Sequence, residues 1–576
     1  MSEVTVQTER VNDIPLLLKQ QQTMGIAALI DGIVPRHGNR RGLSLGWMIT
    51  GWLCYILSER DHRLSFVEEW ASGQLETLNK LLPGQVTAPD FADDRLGEAL
   101  RLLSQDAVWF ELENQLSQRL VRVYQLPQET ARVDTTTVSL YHDQETSELF
   151  ARGHSKDHRP DLAQVKVVFV TLDPLALPVV TMVLPGNRAD DGVYIPAITT
   201  AQENLSTSGL LYVGDSKMEA LATRAHIAQS GDYYLLPLSQ KGSQGQSRNA
   251  AVAQVLADDV PLEAVYDTDD AAGAEARLLA QGWETERQQT FQVEDRAFQW
   301  TERQLLIYSP ALAKSGYRGL EQRLQSATDK LRRLTPEPGR GRRQYQELPP
   351  LQEAVAAILT RHRVADFLEV TYARQVQERH VRRYGDRPAR VETAVRYQLH
   401  ITRNEAAIQA AYRQMGWRWY VTNAPAARLS LAQAVRVYRG GVATIERLFS
   451  RLKGRPLGLR PLFVRRDDHL VGLVRLLSLA LRILTLIEFQ VRQALQSQPE
   501  TLSGLYPGQP TRTTDRPTTE RLLRAFKGIT LSIIDLPGQH IRHVTPLSSL
   551  QVRILQLLRF SDSIYTELAQ PPPIPP

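Results

Sequence analysis

Helical spacing dominates the first 125 residues of the chain. In SFVEEWASGQLETLNKLL and DRLGEALRLLSQDAVWFELENQLSQRLVRVY the apolar positions recur every three to four residues, the period of one helix face. PRHGNRRG reads as a basic loop between helices. The period changes at 131. ARVDTTTVSLY is rich in β-branched residues and predicts a strand, and VKVVFVTLD and LPVVTMVLPG follow as apolar runs bounded by turns. DGVYIPAITTAQENL predicts a helix, GLLYVGDS a strand, KMEALATRAHIAQSG a helix and DYYLLPLS a strand. That order predicts a mixed α/β sheet covered by helices.

Residues 246–395 break the rhythm and read as a large insertion, with strand-like TFQVEDRAFQWTERQLLIYS, charged helices and the linker TPEPGRGRRQYQELPP. RYQLHITRN and WRWYVTNAP then return to the α/β texture. RLSLAQAVRVY starts a helix, with Ser430 and Gln433 at capping-box spacing. The expected domains are a helical N-terminal domain (1–125), a catalytic core in two parts (126–245 and 396–500) around the insertion, and a small C-terminal region (501–576) ending in PPPIPP. A chain of 576 residues is too long for one core, which agrees with several domains.

Two apolar stretches change little. SLGWMITGWLCYIL is too short to span a bilayer, and HLVGLVRLLSLALRILTLIEF carries Arg475, Arg482 and Glu488, so it reads as a buried amphipathic helix. The start, MSEVTVQTER, has no apolar signal core, and the expected location is cytoplasmic, with no membrane partner. One cysteine, Cys54, leaves no disulfide framework or cysteine-rich zinc site. The net charge of +5 permits a nucleic-acid partner without demanding one.

Three acids stand out by context. Asp134 lies inside a strand, Asp215 ends the apolar strand LLYVGD, and Glu446 sits on a helix among Ile445, Leu448, Phe449 and Leu452. Aspartate is disfavoured in strands and calls for a partner or a metal there. Two aspartates on neighbouring strands with a helix glutamate would supply hard oxygen ligands for two magnesium ions, a pair suited to phosphoryl transfer. Singly, each acid reads otherwise: Asp215 as a helix cap, Glu446 as a solvated charge. On a helical wheel Val442, Ile445, Phe449 and Leu452 share an apolar face, Glu446 borders it, and Lys453 follows two turns on. Gly440 and Gly441 each weaken the helix by about 1 kcal/mol, predicting a kink or a close approach.

These pieces resemble the DDE transposases of the IS4 superfamily, and among them the IS1634-type branch. The resemblance runs over about 90–490 and is carried by VDTTTVSLY, GHSKDHRPDLAQVKVVFVTLD with LPGNRADD, YVGDSKM, and WRWYVTNAP followed by AVRVYRGGVATIERLFSRLKGRPLGLRPLFVRRDDHLVGLVRLLSLAL. It implies an RNase H-like (retroviral-integrase-like) catalytic domain with an insertion before the glutamate. It also implies Asp134, Asp215 and Glu446 as catalytic metal ligands for two Mg²⁺ ions, with Mn²⁺ as substitute. The implied partner is double-stranded DNA, the terminal inverted repeats and the target, held by a homodimer on paired ends. Of the family's Tyr-x2-Arg-x3-Glu-x6-Lys signature, Glu446 and Lys453 keep their separation; Tyr438 comes one residue early and Val442 takes the arginine position, with Arg439 as substitute. Lys453, Arg439, Tyr438, Lys156, Arg159 and Lys217 are the implied DNA contacts, with Gln164 in the same block as Lys156 and Arg159.

Other features stay open. RHRV, ERHVRRYGDRPAR and PGRGRRQ suit phosphate backbones or a solvated arginine-rich face. Trp283 and Trp300 suit core packing more than stacking on a flipped base. QKGSQGQS is not a P-loop, and HIRHV is no metal motif. The competing function classes are a catalytically silent DNA-binding repressor or domesticated derivative, and a carboxylate-pair glycosidase, which would need no metal.

Overall fold

The computed structural model describes residues 5–570, apart from 36–41, 142–146, 154, 157–158, 259, 268–275, 294–295, 338–344, 383–384, 386–387, 463, 499 and 537–538. PGRGRRQ and PPPIPP, most of PRHGNRRG and part of ERHVRRYGDRPAR therefore lie outside the described residues.

The β-branched run at 131 does form a strand, Thr130–Ser139, which leads an antiparallel meander with Gln164–Leu172 and Leu177–Pro185. Helix Tyr194–Leu205 leads to Leu211–Val213, which pairs parallel to Thr130–Ser139 on its other edge. Helix Leu221–Gln229 leads to Tyr233–Pro237, again parallel. In space these five strands run third, second, first, fourth, fifth. The sheet then continues antiparallel through Trp417–Thr422, Arg296–Tyr308, Leu278–Val293 and Glu263–Tyr266, giving nine strands in a mixed α/β architecture.

The stretch read as an insertion therefore divides. The hairpin Leu278–Val293/Arg296–Tyr308 belongs to the main sheet. Helices Pro310–Arg332, Leu348–His362 and Glu405–Gln414 enclose a separate core with a second hairpin, around Leu320, Leu324, Leu351 and Ile408. RYQLHITRN does not return to the main sheet; it pairs with Leu368–Val381 in that second hairpin. The return comes at Trp417, whose strand buries Trp417, Trp419 and Val421. The N-terminal region also holds a strand that helical periodicity hides. Thr5–Arg10 pairs antiparallel with Thr530–Leu536, so the two ends of the chain share a three-stranded sheet.

The apolar stretch after 467 forms one helix, Asp467–Ser497, buried on almost every side. By length and composition it could cross a membrane, but 94% of its most apolar window is buried within the protein. Its polar residues explain how it tolerates that position. Arg482 is fully buried; its guanidinium donates to Glu113, to the Pro178 carbonyl (2.8 Å) and to the Ser478 hydroxyl (3.1 Å). The other Glu113 oxygen accepts the Thr181 amide (3.1 Å), and Arg482 lies over the Trp109 ring (5.7 Å). One saturated network thus ties the N-terminal helices, the sheet edge and the long helix together. Burial pushes the Glu113 carboxyl up and the Arg482 guanidinium down, each toward its neutral form, and their mutual contact opposes both shifts. Removing one partner strands a buried charge. Arg482→Met is expected to cost about 3–5 kcal/mol in urea unfolding, and the pair Arg482→Met/Glu113→Leu less than that single change.

Candidate active site

Asp134 projects from the middle of Thr130–Ser139, and Asp215 lies two residues past the end of its parallel neighbour Leu211–Val213. The ladder pairs Thr130 with Leu211 and ends at Arg132 with Val213, two residues short of both acids, and the Asp215 charge reaches Asp134. The Asp134 carboxylate accepts the Thr135 amide (2.7 Å) and the Lys156 ammonium (3.2 Å), which also donates to the Thr135 carbonyl. Burial pushes the Asp134 carboxyl up, the Lys156 ammonium and the Thr135 amide pull it down, and the Asp215 charge adds to the upward push; it ends above the usual range. The two carboxylates therefore feel each other.

Asp215 does cap a helical turn, as one sequence reading had it. Its side chain accepts the Lys217 amide (2.9 Å) at the start of Ser216–Glu219 and the Tyr194 hydroxyl (3.0 Å). Beside it, Asp190 accepts both the Lys166 and Lys217 ammonium groups. Burial pushes Asp190 up, but these two cations outweigh it and hold the carboxyl below its ordinary value. Lys217 is thus paired with Asp190, with its side chain still 39% exposed. Sequence reasoning missed Asp190, Lys166 and Tyr194; the usable signal was Lys166, a lone cation inside an apolar strand.

The Glu446 helix, Leu431–Lys453, is continuous through Gly440–Gly441. The capping box forms, with the Ser430 hydroxyl accepting the Gln433 amide (3.2 Å) and the Gln433 side chain accepting the Ser430 amide (2.9 Å). Gly441 marks a close approach, that of a side chain, and neither glycine kinks the helix. Arg132 donates to Asp173 (2.6 Å) and to the Val437 and Tyr438 carbonyls, and a Cβ at Gly441 would lie 1.7 Å from its Nε. Arg132 and Asp134 are two apart on one strand and share a sheet face, so this helix covers the face that bears Asp134. Phe449 confirms the placement: its ring packs 6.1 Å from Phe169, which is Asp134's direct cross-strand partner.

Glu446 itself is exposed. Among the described residues, no group of three or more His, Cys, Asp or Glu side chains is placed to hold a metal ion. The fold brings Asp134 and Asp215 together, and leaves Glu446 on the facing helix without closing a three-acid cluster. The paired aspartates nevertheless offer the hard oxygens and negative charge that a divalent cation takes. A lysine ammonium against Asp134 and the Thr135 carbonyl already shows where positive charge is favoured.

The remaining residues divide. Lys453 sits half-buried at the C-terminus of the helix. Arg439, expected on DNA, instead donates to the Leu279 carbonyl (2.7 Å) and the Ser309 hydroxyl, because its helix edge packs on the strand hairpin. Tyr438 packs edge-on against Tyr420 (4.8 Å); burial, then Tyr420 and Asp215, push its hydroxyl up. Arg159 is exposed and paired with Asp161 (2.7 Å), and Gln164 is buried in its strand. Trp300 donates to the Tyr234 hydroxyl (2.9 Å) and stacks on Phe298, while Trp283 packs against the main core.

No protein-family model matches the chain, and no curated protein matches it. Among solved structures the chain is similar to a piggyBac transposase in a synaptic complex with hairpin DNA. The identity is 8% and the TM-score 0.36, over 99% of this chain and 89% of that one, a likeness too distant to bear on function.

Two measurements check this geometry. Replacing Lys156 with Met removes the cation at Asp134, so the Asp134 carboxyl is expected to titrate higher still by NMR. Gly440 has open space around its Cβ position, so Gly440→Ala is expected to stabilise by up to about 1 kcal/mol. Gly441→Ala must displace Arg132 and is expected to destabilise by about 1–3 kcal/mol in the same unfolding assay.

Proposed function

We propose that the chain is a metal-dependent DNA transposase of the DDE type, of the IS4 superfamily and its IS1634-type branch, built on an RNase H-like core. The observation that carries this reading is the pair formed by Asp134, on a central strand, and Asp215, just past the end of the adjacent parallel strand, under a helix that bears Glu446 and is docked on the same face by Arg132. The third-second-first-fourth-fifth strand order, three antiparallel and two parallel, supports the RNase H-like core.

In this reading Asp134 and Asp215 would hold two Mg²⁺ ions, or Mn²⁺, and Glu446 would be the ligand supplied by the facing helix. When bound, the ions supply positive charge at phosphorus and ease deprotonation of the attacking water or hydroxyl. Tyr194 fixes the Asp215 carboxylate through its hydroxyl. Lys156 balances Asp134 until metal and DNA arrive, then serves a phosphate. Water attacks the phosphodiester at the element end and its P–O3′ bond breaks, freeing a 3′-hydroxyl; that hydroxyl attacks a target phosphorus in line, and the target's own P–O3′ bond breaks with its 3′ oxygen as the leaving group. Lys453 and Arg159 contact backbone phosphates, and Tyr438 and Arg439 hold the helix instead. The helical N-terminal region reads the terminal repeats, and two copies act on paired ends in the bacterial cytoplasm, at the nucleoid.

A second reading, a DNA-binding repressor without catalysis, is favoured by one observation: Glu446 lies outside the aspartate pair. Cleavage of DNA carrying the sequences that flank the gene separates the two. With Mg²⁺ or Mn²⁺ the wild type is expected to cut, and with EDTA not. Asp134→Ala, Asp215→Ala and Glu446→Ala are expected to abolish cutting, and Lys156→Ala to slow it about tenfold, ~1.4 kcal/mol. Binding without cutting under any divalent metal selects the repressor. Normal cutting by the alanine variants overturns the site.

A further inference from the structure

The Leu431–Lys453 helix has a second working side. Two contiguous clefts, of about 240 and 650 Å³, run along it and share Pro174, Gly440 and Thr444. At about 100° per residue, Arg447 and Arg451 point roughly 100–140° around the helix from Glu446, into the larger cleft. Arg492 from the long helix and Arg516 complete its rim.

The charge there does not balance. Arg447 (3.2 Å), Arg492 (2.7 Å) and Arg451 all bond the one buried carboxylate, Glu488, and Arg451 also bonds Glu520 (2.7 Å). The Arg516 guanidinium adds a fourth cation, with no carboxylate bonded to it among the described residues. Three guanidinium groups thus share two carboxylates, and the fourth, Arg516, stands beside them. Burial pushes the Arg492 guanidinium down, Glu488 holds it up, and the neighbouring Arg447, Arg451 and Arg516 push it down further. Crowding cations into a partly buried cleft is costly without an anion to complete the set. Arg447 and Arg516 are exposed enough to meet one from solvent. Planar guanidinium forks suit phosphate oxygens, and the apolar floor of Leu448 and Phe489 suits a sugar or base edge.

We propose that this groove is a second nucleic-acid site, taking the phosphodiester backbone of a DNA strand on Arg447, Arg492 and Arg516, separate from the strand held at Asp134 and Asp215. One helix would then address DNA on two sides. The proposal rests on the DNA-binding part of the reading above and not on cleavage.

The test is fluorescence anisotropy of the full chain with a labelled duplex from the gene flank, titrated at several salt concentrations without divalent metal. Arg447→Glu and Arg516→Glu are each expected to weaken binding about tenfold and to lower the salt slope by about one. Arg559→Glu, an exposed site elsewhere with the same charge change, is the control for net charge and is expected to change affinity less than threefold. Arg516→Gln, which removes the charge without reversing it, is expected to show the same loss to a smaller degree, and thermal unfolding checks that each variant folds. If the wild type binds and the groove variants match the control, the groove inference falls and the DNA reading stands. If the wild type does not bind DNA, both fall. Groove-dependent binding that millimolar inorganic phosphate abolishes marks a small-anion site and overturns the nucleic-acid assignment.

Discussion

Arg132 holds the candidate site in register. It lies two residues before Asp134 on the same strand, and its guanidinium grips the backbone of the Glu446 helix while Asp173 neutralises it. Because the strand also sets Asp134 beside Asp215, one side chain fixes the distance between the acid pair and the covering helix. Gly441 is the condition for that grip, since any side chain there would occupy the space of the guanidinium. The helix accepts two adjacent residues of poor propensity because tertiary packing outweighs the local cost.

The chemistry around the acids is one of compensation. Asp134 is paired with Lys156, Asp190 with Lys166 and Lys217, and Asp215 with a hydroxyl and an amide. Three carboxylates, one within a strand and two in the segments that follow strands, would repel one another, and three lysines keep the cluster tolerable. Glu446, outside this balance, keeps an ordinary exposed position.

Much of the sheet was legible because its signals are local. The β-branched run at 131 and the alternation of helix and strand up to 237 give the order of the first five strands, and Ser430 and Gln433 give the start of the Glu446 helix. What stayed hidden depends on long-range pairing. RYQLHITRN has the composition of a core strand, but its partner lies in the separate module. MSEVTVQTER gives no sign that its partner strand lies near residue 530. At the site, Asp134 was legible as a polar residue inside an apolar strand and Asp215 as a cap following one. The engagement of Arg439 with Leu279 and Ser309 was not, because it depends on where the strand hairpin packs.

The shared sheet at the chain ends has a consequence for synthesis. Thr5 and its partner Asp535 lie 530 positions apart, so the strand Thr5–Arg10 is made long before the strand it pairs with. Until then its backbone edge is open to any other extended strand, including one from a neighbouring nascent chain. A polypeptide that stops before Thr530 keeps this edge unpaired, as an open template for another strand.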